Sequence, residues 1–202
     1  MRLGIFGGTF DPPHLGHLIL AAEARYQLAL DRILWVLTPD PPHKLGKYIS
    51  PLSQRLGLVR AALADAEHIV LSTVDIDRPA PHYALDTVRA IRTSYPSAAL
   101  FYIMGGDSFR DLPNWHQPLD FLAATDGVGV MRRPGDDIDI APLEDRLPGL
   151  ATKTCFLDAP LLEIASRDIR ERIIAGAPFR YYLPHAVYRY IVTHHLYRRS
   201  KA

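Results

Sequence analysis

Residues 7 to 17 read Gly7-Gly8-Thr9-Phe10-Asp11-Pro12-Pro13-His14-Leu15-Gly16-His17, directly behind the apolar run Leu3 to Phe6. Two glycines at a strand end let backbone N–H groups approach an anion closely. Pro12-Pro13 stiffens the turn that follows, and His14 and His17, three residues apart, share one face of a helix that begins there. A helix N-terminus supplies N–H donors and a partial positive charge, so the whole stretch suits phosphate. A plain strand-end turn is the alternative reading of Gly-Gly taken alone. The spacing of Gly4, Gly7 and Gly8 does not fit the dinucleotide pattern G-x-G-x-x-G, and no Gly-Lys-Ser/Thr follows as in a Walker A loop. A structural zinc wants four ligands, in a chain with one cysteine, and no H-E-x-x-H occurs.

Four further segments carry residues able to do chemistry. Thr38-Pro39-Asp40-Pro41-Pro42-His43-Lys44 is a proline-stiffened arm that either presents Lys44 to a phosphate or leaves it facing solvent. Ile164-Ala165-Ser166-Arg167-Asp168-Ile169-Arg170 opens an amphipathic helix, with Ser166 as its N-cap; a hydroxyl and two arginines at a helix start make a second anion site. Met104-Gly105-Gly106-Asp107-Ser108 with Asn114-Trp115-His116 combines a strand-end carboxylate suited to ribose hydroxyls with an indole face for a flat ring; a turn and a core tryptophan are the plainer account. Arg132-Arg133-Pro134-Gly135 offers cations past another strand, or a surface charge pair.

These segments need elements to position them. Apolar runs predict strands at Leu3–Phe6, Arg32–Leu37, Ile69–Val74, Ala98–Met104, Gly127–Met131 and Thr154–Leu157. Between them, helical periodicity predicts helices at 15–29 (inward stripe Leu15, Leu18, Ile19, Ala22, Tyr26, Ala29), 51–64 (Leu52, Leu56, Val59, Leu63), 83–94 and 114–123. Residues 135–150, acidic and punctuated by Pro and Gly, read as a solvated loop with at most a helical turn. Residues 184–199 read as a closing helix with Tyr188, Ile191, Val192 and Leu196 inward. The alternation predicts an α/β fold: a Rossmann-like, doubly wound, mostly parallel sheet with helices on both faces and a small helical C-terminal part. We expect one domain over 1–202, with a core to residue 160 and the helical part from 161. In such sheets ligands sit at the carboxyl ends of strands, and residues 7–17, 38–44, 105–107 and 132–135 all lie just past strand ends.

Composition narrows the classes. At 48% hydrophobic and 22% charged the 202 residues can bury an ordinary core. With 23 basic against 22 acidic residues the net charge is +1, so nothing favours long-range attraction to nucleic acid or a membrane surface. No apolar run approaches the ~20 residues of a membrane span. Cys155 is alone, which fits a reducing cytoplasm. A homo-oligomer is left open.

The segment from Gly7 to His17 resembles the G-G-T-F-D-P-x-H-x-G-H signature of the H-x-G-H nucleotidyltransferase superfamily. Across essentially all 202 residues the chain is similar to the bacterial nicotinate-nucleotide adenylyltransferases. The proline arm resembles the family segment ending Pro-Pro-His-Lys, and 164–170 resembles I-S-S-T-x-I-R, with Ala165 and Arg167 in place of a serine and the threonine. Tyr83-Ala84-Leu85-Asp86-Thr87 resembles Y-T-I-D-T, with Ala84 leaving only a backbone contact, and Gln54-Arg55 stands where His-Arg is common.

The resemblance implies adenylyl transfer from ATP to nicotinate mononucleotide, giving deamido-NAD and pyrophosphate. It places His17 and His14 on the bridging and α-phosphate oxygens as the catalytic pair, with backbone groups of Gly7, Gly8, Thr9 and Phe10. It places Lys44, Ser166 and Arg170 on the β- and γ-phosphates, Arg133 on the ATP side, and Tyr83, Ala84, Asp107, Trp115 and His116 on the mononucleotide. Mg²⁺ would ride on ATP without a dedicated protein cage. Rival readings are a preference for nicotinamide mononucleotide, another small phosphate acceptor such as phosphopantetheine, and a nucleotide sensor without turnover.

Overall fold

Near-continuous apolar runs form β1 (Arg2–Gly8), β2 (Arg32–Leu37), β3 (Ile69–Ser72), β4 (Ala99–Gly105), β5 (Gly127–Met131) and β6 (Thr154–Leu157) in the computed structural model, which describes residues 1–41, 49–132, 138–160 and 162–198. Residues 3–6 of β1 and 33–37 of β2 are buried in succession, without alternation, as expected of parallel strands covered on both faces. The strand order is β3-β2-β1-β4-β5-β6 and every pairing is parallel. From β1 the chain steps outward to β2 and β3, then crosses to the other side of β1 for β4. The order therefore reverses between β1 and β4, which makes a crevice at their carboxyl ends.

Two layers of helix cover the sheet. On one face, α1 (Leu15–Gln27) and α2 (Leu52–Ala62) pack Leu20, Ala21, Ala24 and Val59 onto Phe6, Ile33, Trp35 and Leu37. On the other, α3 (Ala84–Ser94), α4 (Gly106–Asp111) and α5 (Pro118–Ala124) pack Leu85, Val88, Phe109 and Phe121 onto Leu3, Ile5, Leu34 and Leu100. A third cluster joins the outer side of α2 (Leu58, Ala62) to α8 (Ser166–Ile174) and α9 (His185–Thr193) through Ile169, Val187, Ile191 and Leu196. The α2–α9 crossing is close because Gly57 lacks a side chain: a Cβ there would lie 2.1 Å from the Tyr190 hydroxyl.

The fold class is as expected, and the local departures have physical causes. The buried face of α1 is Leu20, Ala21 and Ala24, not the expected stripe; Ala22 and Ala29 are exposed and Tyr26 is 82% exposed. Small alanines bring the helix backbone close to the sheet, so the larger apolar residues were a poor guide to the docking face. The helix stops at Gln27, and Ala29 lies in the left-handed region at φ 48°.

Residues 114–123 do not form one helix. The chain makes α4, a 3₁₀ turn over Leu112–Asn114, and α5. Part of the expected acidic loop is core. Among its described residues, α6 (Ala141–Arg146), the Leu147 that caps it and α7 (Leu150–Lys153) place Leu143, Leu147 and Leu150 in the core. Glu144 accepts the N–H groups of Gly149 at 2.7 Å and Ala151 at 2.6 Å, and these bonds hold its carboxyl below the usual range. In the C-terminal helix Val187, Ile191 and the following Leu196 are buried, whereas Tyr188 and Val192 are only partly so.

Candidate active site

The turn expected to bind phosphate (the phosphate turn) begins where β1 ends. Gly7 and Gly8 are extended residues of the strand, and neither is needed for a positive φ. Their missing side chains are instead required by neighbours: a Cβ on Gly7 would lie 2.9 Å from the Tyr102 hydroxyl, and one on Gly8 would meet the Phe10 ring at 3.0 Å. The unusual backbone falls at Phe10, in the left-handed region at φ 47° and 2% exposed, a conformation that costs an L residue about 1 kcal/mol or more. Packing over-determines it. The Phe10 ring lies 4.5 Å from Trp35 and meets Phe6 and His17 edge-on at 5.3 and 5.1 Å.

His14 is the N-cap of α1, with extended backbone, and its carbonyl accepts the His17 N–H at 3.0 Å. Its own N–H donates to His17 Nδ1 at 3.2 Å, and the two rings stack at 3.6 Å with planes 25° apart. Because Nδ1 accepts, a neutral His17 carries its hydrogen on Nε2. The predicted pair is thus brought together at a helix N-terminus, with one tautomer selected and the ring backed by Phe10.

Carbonyl and carboxylate groups of the same turn are held by residues distant in sequence. Ser166 Oγ donates to the Pro12 carbonyl at 2.8 Å and an Arg170 N–H donates to the Asp11 carbonyl at 2.5 Å. The predicted second site is therefore beside the first. Ser166 is not the N-cap: Ala165 holds that position and Ser166 is the first helical residue, its hydroxyl turned to the phosphate turn. Lys44 and Arg133 lie outside the described residues.

Arg55 is the residue whose importance the sequence reading missed. It is 2% exposed, and its guanidinium donates to four carbonyls: Ser50 at 2.9 Å, Thr9 at 3.3 Å, Thr38 at 2.8 Å and Pro39 at 2.7 Å. Burial lowers its pKa, while the charges of Asp11 and Asp40 act against that shift. The signal was present: Arg55 shares the inward face of α2 with Leu52, Leu56 and Val59, where a charge must be paired.

The second half of the crevice hangs from β4. Asp107, in the first turn of α4, is exposed and pairs with Arg110 at 2.5 Å. Trp115 is half-buried, edge-on to Tyr102 at 5.9 Å and Phe121 at 5.3 Å. The Tyr83 and His116 rings stack at 4.0 Å with planes 17° apart, so the two predicted mononucleotide segments meet; Ala84 starts α3 beside them. Behind Tyr83, buried Asp75 accepts from Thr38 Oγ1 at 3.1 Å, Thr87 Oγ1 at 2.7 Å and Arg78 at 3.0 Å, while Arg78 also donates to the Tyr83 carbonyl at 3.2 Å. This network, absent from the sequence reading, couples the end of β2 to the Tyr83 segment.

His82, next to Tyr83, is 7% exposed, and burial, then the Arg78 charge, lowers its pKa below 6.5. A group that binds protons more weakly when folded supports the fold above its unfolded pKa and loses that support as pH falls through the folded one. Thermal stability should therefore decline as pH drops below 6.5, and His82→Gln should reduce that part of the decline in melting curves taken from pH 7.5 to 5. An unaltered pH dependence in the variant would remove His82 as its source.

Among the described residues, no group of three or more His, Cys, Asp or Glu is placed to hold a metal, and no helix is long and apolar enough to cross a membrane. Residues 5–172 match the cytidylyltransferase-like family model. A protein of Thermomicrobium roseum named "probable nicotinate-nucleotide adenylyltransferase" is 42% identical over 201 residues, covering 100% of this chain and 94% of that protein. A Bacillus pumilus protein of the same name is 38% identical, covering 97% and 98%. Among solved structures, nicotinic acid mononucleotide adenylyltransferase of Plasmodium falciparum, complexed with NaAD, superposes with a TM-score of 0.79 at 17% identity, over 97% of each chain. That likeness speaks to the fold.

Proposed function

The chain belongs to the nicotinate-nucleotide adenylyltransferases, within the cytidylyltransferase-like family, and from that premise we propose how its crevice transfers the adenylyl group of ATP to nicotinate mononucleotide. The 5′-phosphate of the mononucleotide attacks the α-phosphorus, the bond from that phosphorus to the α–β bridging oxygen breaks, and deamido-NAD and pyrophosphate form. The attacking phosphate, with a second pKa of about 6, is already an anion at neutral pH and needs no general base. Catalysis is then alignment and stabilisation of charge on the transferring group.

The observation that carries this reading is the His14 N–H donating to His17 Nδ1 at the start of α1. It turns His17 into an Nε2–H donor for the α-phosphate and bridging oxygens, with His14 stacked beside it for the same group. The N–H groups from Gly8 to Phe10 add donors on the strand side. Ser166 and Arg170, held against the Pro12 and Asp11 carbonyls, are placed by this proposal on the β- and γ-phosphates together with Lys44, the Ser166 hydroxyl by turning its one hydrogen from Pro12 to the phosphate, and Arg133 on the ATP side. The β4 half takes the mononucleotide: Tyr83, His116 and Trp115 offer aromatic faces, Asp107 a carboxylate for ribose hydroxyls, and Ala84 a backbone contact at the α3 N-terminus.

Enzymes of this class use a divalent cation with ATP. The donors around the turn are imidazoles, a hydroxyl, a guanidinium and amides, and His17 Nδ1 is engaged by a backbone N–H, so this set suits phosphate oxygens. We place Mg²⁺ on the ATP phosphates, where it neutralises charge, with water completing its shell. The test is pyrophosphate release from ATP with nicotinate and nicotinamide mononucleotides side by side. Faster turnover of the acid is expected; faster turnover of the amide would replace the acceptor, and no release with either would leave a nucleotide sensor.

A further inference from the structure

The phosphate turn is also contacted from the turn that follows α9. Tyr197 lies in the turn after α9, at φ 62°, and its hydroxyl donates to Asp11 Oδ1 at 2.7 Å. The other carboxylate oxygen, Oδ2, accepts the Ser50 N–H at 3.0 Å. Asp11 is 4% exposed and sits within the turn that must welcome polyphosphate. A buried carboxylate there needs hydrogen bonds to remain in place, and left unengaged it would repel an incoming anion.

The phenol is well held. Its neighbour Leu196 is 6% exposed in the α2–α8–α9 cluster and donates its N–H to the Ile191 carbonyl at 3.0 Å. Burial, and then the Asp11 charge, pushes the Tyr197 hydroxyl above the usual phenol range, so it stays protonated and donating; the Ser50 side chain also bonds to it.

We infer that Tyr197 is a positioning residue for adenylyl transfer: its hydroxyl fixes the Asp11 carboxylate, and through it the turn that faces the ATP phosphates. The C-terminal turn is thus part of the polyphosphate site although it contributes no group to the ligand. The inference rests on the adenylyltransferase reading of the crevice.

Tyr197→Phe removes the hydroxyl and keeps the ring in its packing, and thermal unfolding would verify that the variant is folded. Two readouts separate positioning from a general structural role. In the ligand-free variant, hydrogen exchange at the Thr9, Phe10 and Asp11 amides should accelerate while the strands keep wild-type protection. The Kd for α,β-methylene-ATP should rise about tenfold, the order that one hydrogen bond to a charged group is worth, while that for nicotinate mononucleotide stays at its wild-type value. Unchanged exchange, an unchanged analogue Kd, or equal weakening toward both nucleotides would each overturn the inference. Wild-type protein that fails to bind the analogue would remove the adenylyltransferase reading and the inference with it; wild type and variant that bind equally would remove the inference alone.

Discussion

Replacing His17 by alanine is expected to lower kcat for adenylyl transfer by about 10²-fold or more, with a much smaller change in the KM for ATP. The expectation follows from the tautomer. With Nδ1 occupied by the His14 N–H, the ring can offer Nε2–H to an oxygen that gains charge as the phosphorus bond breaks. Such a donor acts most strongly in the transition state, so its loss appears in kcat. The fold should survive, because His17 is only partly buried and lies on the edge of the Phe6–Phe10–Trp35 cluster without being its centre. Pyrophosphate-release kinetics read the effect directly. A variant with near-normal turnover would exclude His17 from the reaction.

Arg55→Ala should act differently, on the fold and the site together. Truncation would leave four carbonyls without their shared donor and would strip cationic support from buried Asp11. Breaking buried charged contacts of this kind costs about 3–5 kcal/mol. At roughly 2–4 °C per kcal/mol for a chain of this size, Tm should fall by about 6 °C or more. Activity measured well below that Tm should also drop, since the same guanidinium joins the Thr9 carbonyl of the phosphate turn to the end of β2. Arg55→Lys keeps the charge but cannot reach carbonyls on three segments at once, so it should lie between. Melting curves with an unchanged midpoint for Arg55→Ala would show that water or neighbouring groups replace the guanidinium.

The strands were legible in the sequence because buried parallel strands leave uninterrupted apolar runs, and Arg32–Leu37, Gly127–Met131 and Thr154–Leu157 coincide with β2, β5 and β6. The candidate site was legible where its residues are neighbours in sequence, as in Gly7 to His17, whose two histidines do meet. Long-range contacts left weaker marks. Arg55 was noted only beside Gln54 although it sat on an apolar stripe, and Tyr197 gave no local hint of Asp11, 186 residues away. The leucines of α6 and α7 were hidden among acidic residues, one of which, Glu144, serves as a backbone cap. Helix α4 was missed because Gly105-Gly106-Asp107 has turn composition; the structure uses Gly105 as an extended N-cap and continues at once into helix. On α1 the docking face follows small side chains, which hydrophobic periodicity undervalues.

Strand β1 is hydrogen-bonded on both sides, in register with β2 from Leu3 to Gly8 and with β4 from Arg2 to Phe6. His14 and His17 are thus tethered to one of the least deformable lines of the molecule, while the aromatic residues proposed to receive the acceptor sit in segments that follow β3 and β4. Mechanical stiffness and tolerance to change are segregated along the crevice. Substitutions at the more exposed Tyr83, Asp107 and His116 should therefore reshape the proposed acceptor side while the spacing of His14 and His17 stays fixed, whereas Leu85, Thr87, Phe109 and Leu112 in the same segments are buried and would carry a change into the core.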